Sequence, residues 1–225
     1  MGILLSFGGL LLIVAVSFVA GAATAVYAAV RFFKWKKATF NLLHLPLHMN
    51  HVMIDFETLG TSADSVIMSF GAVRFDLDSG EIDDEAFYRS ITIDSNLEKG
   101  RRIDESTLVW WMGQNAAAQK VFTEPKVSLE EALTEFYDWF GPDKNTCVWS
   151  NGADFDIPML HHAVKSFGWE LPWKFWNNRC FRTLKNLPAA KRAGKPEAAV
   201  KHNALSDAIA QAQHAHLIWA ELNKK

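Results

Sequence analysis

At 225 residues, with 49% hydrophobic and 21% charged side chains, the chain is long enough for one ordinary domain plus an appendage and too apolar for a disordered tail. Four of the 23 Lys and Arg residues (Arg31, Lys34, Lys36 and Lys37) precede the first acidic residue, Asp55, so the stretch beyond residue 48 carries 19 basic against 25 acidic side chains, a formal −6. That balance makes it a poor generic binder of nucleic acid, although two divalent ions held by some of the acids would return +4. Cys147 and Cys180 are too few for a disulfide framework and are expected as buried thiols in a reducing compartment.

Residues 2–30 contain no charged side chain. A helix needs about 20 apolar residues to span about 30 Å of hydrocarbon, so the stretch predicts one N-terminal transmembrane helix. The following Arg31-Phe32-Phe33-Lys34-Trp35-Lys36-Lys37 interleaves cations and aromatics, as a cytoplasmic membrane interface selects. The expected organisation is an anchor at 1–37, a tether at 38–50 and a globular domain at 51–225, single-pass in the inner or cytoplasmic membrane with the domain in the cytoplasm. A cleaved signal peptide is the rival, but its n-region would carry no Lys or Arg. A translation start at Met49 would give a soluble cytoplasmic form.

The domain opens with a buried strand over 51–54 ending at Asp55, a second strand over 66–75, a turn at Asp76-Leu77-Asp78-Ser79-Gly80 and a third strand over 87–93, an antiparallel meander. Asp104 is the expected cap of a helix running through Trp110 and Trp111, with Ile103 and Leu108 as a hydrophobic staple. Ser128-Leu129-Glu130-Glu131 reads as a capping box; its helix repeats Leu129, Ala132, Leu133, Phe136, Tyr137 and Phe140 and stops at Gly141-Pro142. A short apolar strand over 146–150 precedes a helix near Asp156, with Pro158 in its first turn. A last short strand within 175–181, a mobile loop over 188–201 and a helix from about Ala204 to Leu222 complete the chain. A meander followed by alternating helices and strands suits an α/β fold, a ribonuclease H-like mixed five-stranded sheet with helices on both faces.

Three stretches carry chemistry. Asp55 and Glu57, two apart at a strand end, put two carboxylates on one face. They repel each other unless a cation sits between them, and hard oxygen ligands suit Mg²⁺ or Mn²⁺. Asn151-Gly152-Ala153-Asp154-Phe155-Asp156 supplies a third carboxylate at a strand-to-helix junction, from Asp156 or Asp154. His202-Asn203-Ala204-Leu205-Ser206-Asp207 places an imidazole just before the last helix and a carboxylate in its first turn. Singly, each has an ordinary structural reading: a solvated strand end, a helix cap, a partner of the helix dipole. Together, four carboxylates and one imidazole are the inventory of a site that holds two divalent metal ions and cuts a phosphodiester, with His202 taking a proton from water near neutral pH.

These stretches resemble the three motifs of the DEDDh family of 3′-to-5′ exonucleases. Asp55-Phe56-Glu57-Thr58 resembles D-x-E-T. The segment ending Phe155-Asp156 resembles N-x-x-F-D with one extra spacer residue, and the Phe-Asp pair favours Asp156 over Asp154. His202 to Asp207 matches H-x-x-x-x-D. The resemblance covers 51–222, and Thr107-Leu108-Val109-Trp110-Trp111 looks closer to a branch that includes phage exodeoxyribonucleases and small bacterial exoribonucleases. It implies that 51–225 is a 3′-5′ exonuclease domain releasing nucleoside 5′-monophosphates from 3′ ends of single-stranded RNA or DNA. It further implies that Asp55, Glu57, Asp156 and Asp207 hold two Mg²⁺ or Mn²⁺ ions, that His202 is the general base, and that the chain forms a homodimer. Thr58 and Leu59 are then expected to border the terminal nucleotide. Adjacent Trp residues on a helix point different ways, so one of Trp110 and Trp111 is core; Trp111 is the choice for stacking on a base. Lys191, Arg192, Lys195 and Lys201 could grip phosphates. The alternative is a nucleic-acid-binding module of the same fold that has lost catalysis, against which the presence of all five groups argues.

Overall fold

The structure, a computed structural model, describes residues 49–224. Among the described residues no helix is long and apolar enough to cross a membrane. The longest of them, Ala204–Leu222, carries Asp207 and Glu221 and buries one face in the domain. The transmembrane helix expected over 2–30, with its anchor at 1–37 and most of the tether, lies outside the described residues. The expected architecture is therefore corrected to the sheet and its helices alone, and the placement in the cytoplasmic membrane is withdrawn with it.

Five strands form one sheet: β1 (His51–Thr58), β2 (Ile67–Phe75), β3 (Phe87–Ser90), β4 (Cys147–Ser150) and β5 (Asn178–Cys180), in the order β3-β2-β1-β4-β5. β2 pairs antiparallel with both β1 and β3, while β4 runs parallel to β1 and β5 parallel to β4. This is the meander followed by parallel strands that the sequence predicts. The helices are α1 (Ile93–Leu97), α2 (Glu105–Met112), α3 (Leu129–Phe140), α4 (Asp156–Lys165), α5 (Phe181–Lys185) and α6 (Ala204–Leu222).

Period-two alternation in β1 sorts its side chains between two cores. Val52, Ile54 and Phe56 join Phe70, Phe87 and Phe136 beneath α3 and α4. Met53 turns the other way, toward Val73, Phe75, Trp149 and the inner faces of α5 and α6. Helices thus cover both faces, as expected of the ribonuclease H-like arrangement.

The local signals held where their partners were local. The Ser128 hydroxyl accepts the Glu131 N–H at 3.2 Å, and α3 ends at Gly141 with φ 75°, the left-handed conformation that glycine supplies at a helix end. Two expectations failed for tertiary reasons. The third strand stops at Ser90 rather than at residue 93, because the chain turns into α1, whose Asn96 side chain bonds both the N–H and the carbonyl of Ile67 (3.0 and 3.1 Å). Asp104 precedes α2 without capping it; its carboxylate accepts the Thr61 N–H at 3.2 Å instead.

Candidate active site

Asp55 and Glu57 leave β1 on the same face as Met53, the face covered by α6. That helix lies close to the sheet because its buried positions Ala204, Ala208, Ala212 and Ala215 are small. Gly71, the register partner of Asp55, lets it come closer still: a Cβ there would overlap the Ala204 carbonyl carbon and the Leu205 amide nitrogen. The first turn of α6 is therefore pressed onto the sheet, and Asp207 meets the strand carboxylates. One oxygen each from Asp55, Glu57 and Asp207 lie within 4.8 Å of one another. A register shift between Glu57 and Thr58 bends the strand as it leaves the cluster, as bulges beside active sites do.

Asp156 approaches from α4. It is the first residue of that helix, only 1% exposed, and its Oδ1 accepts the Phe56 N–H at 3.1 Å. Phe56 lies between the two strand acids, so this bond fixes Asp156 beside them. Asp154 instead faces solvent and pairs with Arg182 at 3.6 Å. The structure thus brings Asp156, and not Asp154, to β1.

Among the described residues none of the four carboxylates has a Lys or Arg within ion-pair distance. Burial first, and then the charges of Asp156 and Glu57, hold the Asp55 carboxyl well above the usual range. Burial and the charges of Asp207 and Asp156 push Glu57 up to about 8. Asp156 is pushed up to about 7 by burial, against the Phe56 N–H and the charge of Arg182. Asp207 is raised by burial, against its bond from the His202 backbone N–H and the charge of the His202 imidazole. Four carboxylates that each resist ionisation, the oxygens of Asp55, Glu57 and Asp207 converging and Asp156 fixed beside them, fit a site for hard divalent cations.

His202 adopts φ 59°, a left-handed conformation uncommon outside glycine and of the kind found at functional sites. Its ring stands edge-on to Trp110 (centroids 5.0 Å apart, planes at 89°) and to Trp111 (6.2 Å, 77°). Two cavities border the cluster. One of 350 Å³ is lined by Glu57, Thr58, Trp110, Trp111 and Phe155 among others. The other, of 690 Å³, is lined by His202, Asp207, Gln211 and several lysines.

The remaining expected residues divide. Thr58 lines the smaller cavity, and its Oγ1 donates to the Gly60 carbonyl at 2.7 Å. Leu59 is buried behind that wall with Val66, Met68 and Trp111. Trp111 is 1% exposed and its Nε1–H is taken by the Thr58 carbonyl at 2.9 Å, whereas Trp110 is 45% exposed. The open aromatic ring therefore belongs to Trp110, and Trp111 is the core partner. Lys191, Lys195 and Lys201 line the larger cavity; Arg192 pairs with Glu221 at 3.7 Å and does not.

Gln211 was not singled out by the sequence. Its Nε2–H donates to Asp55 Oδ1 at 2.8 Å. The available signal was spacing: Gln211 is four residues after Asp207 and so shares its helical face. Gly71 had a signal too, since a glycine inside a strand marks close backbone approach.

Residues 50–219 match the family model described as the 3′-5′ exoribonuclease Rv2179c-like domain. An exodeoxyribonuclease of Enterobacteria phage T4 is 28% identical over 156 residues, covering 58% of this chain and 68% of its own length. Among solved structures, E. coli exonuclease I in complex with a dA16 oligonucleotide is similar with a TM-score of 0.54 at 14% identity, over 76% of this chain and 41% of that one. Exonuclease X in complex with 5′ overhanging duplex DNA is similar with a TM-score of 0.50 at 16% identity, over 78% and 94% respectively. The chain thus spans about two fifths of the exonuclease I chain it matches, and at these identities the structural likeness speaks for the fold.

Proposed function

The chain belongs to the 3′-5′ exoribonuclease Rv2179c-like domain family and carries a 3′-5′ exonuclease domain, and on that footing we propose a mechanism and a substrate. The domain, 51–225, removes nucleoside 5′-monophosphates one at a time from the 3′ end of single-stranded RNA or DNA. Asp55, Glu57 and Asp207, with Asp156 beside them, would hold two divalent ions, Mg²⁺ or Mn²⁺, which when bound would supply Lewis-acid activation of water and charge stabilisation of the leaving oxygen.

The residues of the chain do the rest. Raised carboxyls that give up their protons more readily to a cation than to solvent keep the ligand set poised for metal. Gln211 fixes the rotamer of Asp55 through its amide, and the Phe56 N–H fixes that of Asp156. His202, held beside Asp207, takes a proton from the attacking water on an imidazole nitrogen. Attack at phosphorus breaks the bond to the 3′ oxygen of the penultimate nucleotide, which takes a proton from solvent and leaves a shortened strand with a 3′ hydroxyl. The exposed ring of Trp110 offers a stacking surface to the terminal base in the 350 Å³ cavity.

The observation that carries this reading is the convergence of Asp55, Glu57 and Asp207 within 4.8 Å beside the His202 imidazole. Single-stranded substrate is supported by the oligonucleotide in the exonuclease I complex. The test uses the full chain with 5′-labelled single-stranded RNA and DNA of one sequence, in Mn²⁺ and in EDTA. A ladder of shortening products, lost in EDTA and in the Asp55→Ala/Glu57→Ala double variant, is the expected result, and the faster substrate identifies the sugar. Binding without cleavage would instead make the chain an inactive module of the same fold.

A further inference from the structure

The residues beyond 48 carry a formal −6, yet the 690 Å³ cavity beside Asp207 inverts that balance. Lys185, Lys191, Lys195 and Lys201 line it, against Glu197 and Asp207, and Asp207 is turned into the carboxylate cluster. The cations crowd one another. Burial, then the charges of Arg182 and Lys195, lower the Lys185 ammonium. Burial, then Lys195 and Lys185, lower the His214 imidazole on the same wall. The Lys185 Nζ donates to the neutral side-chain oxygen of Asn151 at 2.8 Å rather than to an acid, and Lys191 and Lys195 form no ion pair among the described residues. A positive concavity on an acidic domain concentrates anions locally, and an anion seated there would relieve the mutual repulsion.

Position narrows the choice of anion. A strand whose scissile phosphate lies at the carboxylates has one nucleoside on one side and the remaining strand on the other. The 350 Å³ cavity with its aromatic wall meets Glu57; the lysine-lined cavity meets Asp207 and His202. We infer that the cavity between the 188–201 segment, α5 and α6 is a second binding site, gripping the backbone phosphates of the strand that remains after the terminal nucleotide departs, with Lys191 and Lys195 as principal contacts. The inference rests on the exonuclease reading for the direction of the strand. It makes the site a length gauge: each phosphate gripped favours a longer strand over a dinucleotide. A phosphoryl group could also come from the released mononucleotide, and the test separates the two sources.

The full chain and its Lys191→Gln/Lys195→Gln variant are compared on a single-stranded octanucleotide and a dinucleotide. Affinity is read by fluorescence anisotropy in EDTA, and turnover in Mn²⁺, from about 50 to about 200 mM salt. Both lysines are solvent-exposed, so the variant is expected to fold, and Arg192→Gln, whose side chain pairs with Glu221 instead, serves as the control for loss of a nearby positive charge. The expected result is that the slope of log affinity against log salt for the octanucleotide shallows by roughly 1.4, about 0.7 per lost phosphate contact on a single strand. The ratio of kcat/KM for octanucleotide over dinucleotide falls on the order of tenfold, and the control keeps the wild-type slope. An unchanged slope, or equal losses on both substrates, overturns the inference. So does a variant that loses only inhibition by added nucleoside 5′-monophosphate, which would make the cavity a product site. Octanucleotide bound but left uncut by the wild-type chain would sink the exonuclease reading while the binding slope still decides the phosphate site.

Discussion

The two faces of β1 share a backbone and little else. On one, Phe56, Phe70, Phe87 and Phe136 pack with ring centroids 4.5 to 5.5 Å apart under the large side chains of α3 and α4. On the other, Met53 gives way to Asp55 and Glu57 beneath a helix whose buried positions, Ile218 apart, are alanines. The aromatic face fixes the register of the strand, because a slip of one residue would send its apolar side chains to the wrong side. With the register fixed, alternation compels Asp55 and Glu57 to face α6, where they meet Asp207 and repel it. The stable face holds the unstable one in place.

That contrast can be broken from either side. Phe136→Ala attacks the stable face and is expected to cost about 3–5 kcal/mol, read from the midpoint of a denaturant titration; a loss below 1 kcal/mol would mean that this face does not anchor the strand. Asp207→Asn attacks the other. Its single-turnover rate on a single-stranded substrate should fall by more than the ~10–100-fold typical of outer-shell partners of a metal, while the metal-free protein becomes more stable, because one repelling carboxylate is gone. Gly71→Ala couples the faces: its methyl group displaces the first turn of α6, with an expected loss of about 1–3 kcal/mol and a fall in metal affinity measurable by calorimetry. Trp110→Ala is the mildest. Loss of a stacking surface should raise KM by a factor corresponding to about 1 kcal/mol, with melting temperature nearly constant; a fall confined to kcat would place the ring elsewhere in the reaction.

The sequence was most legible where cause and effect lay close together. The Ser128 capping box, the bounds of α6 and the alternation that puts Asp55 and Glu57 on one face are all decided within a few residues. The Phe155-Asp156 pair already favours Asp156 over Asp154, but what seats it beside β1, a bond from the Phe56 N–H, lies 100 positions away. The same distance hid Gln211, whose partner Asp55 lies 156 residues earlier, and misdirected the reading of Asp104, whose carboxylate prefers the Thr61 amide across the fold to its own helix. For Trp110 and Trp111 helical geometry required that they diverge, but only the packing against Leu59, Val66 and Met68 decides which ring is buried. The membrane helix was inferred from composition over 2–30, which lies outside the described residues, and no described helix is long and apolar enough to cross a membrane.

The central claim is that one face of β1 is held against its own electrostatic preference until metal binds. Glu57 and Asp156, raised to about 8 and about 7, bind more protons folded than unfolded between their ordinary values and these. Stability from the two is therefore fully present below about pH 4 and lost as pH rises toward 8. Contributions from groups remote from the carboxylate cluster cancel when wild type is compared with Glu57→Gln, which leaves Glu57 and its effect on the neighbouring carboxylates. The decisive measurement is the melting temperature of both proteins in EDTA and in Mn²⁺, from pH 5 to pH 8. In EDTA the variant should melt increasingly above wild type as pH rises, and Mn²⁺ should raise wild type most at the high-pH end, where its ligands ionise. A difference in EDTA that is flat or shrinks with pH, with no response of wild type to Mn²⁺, would contradict the account.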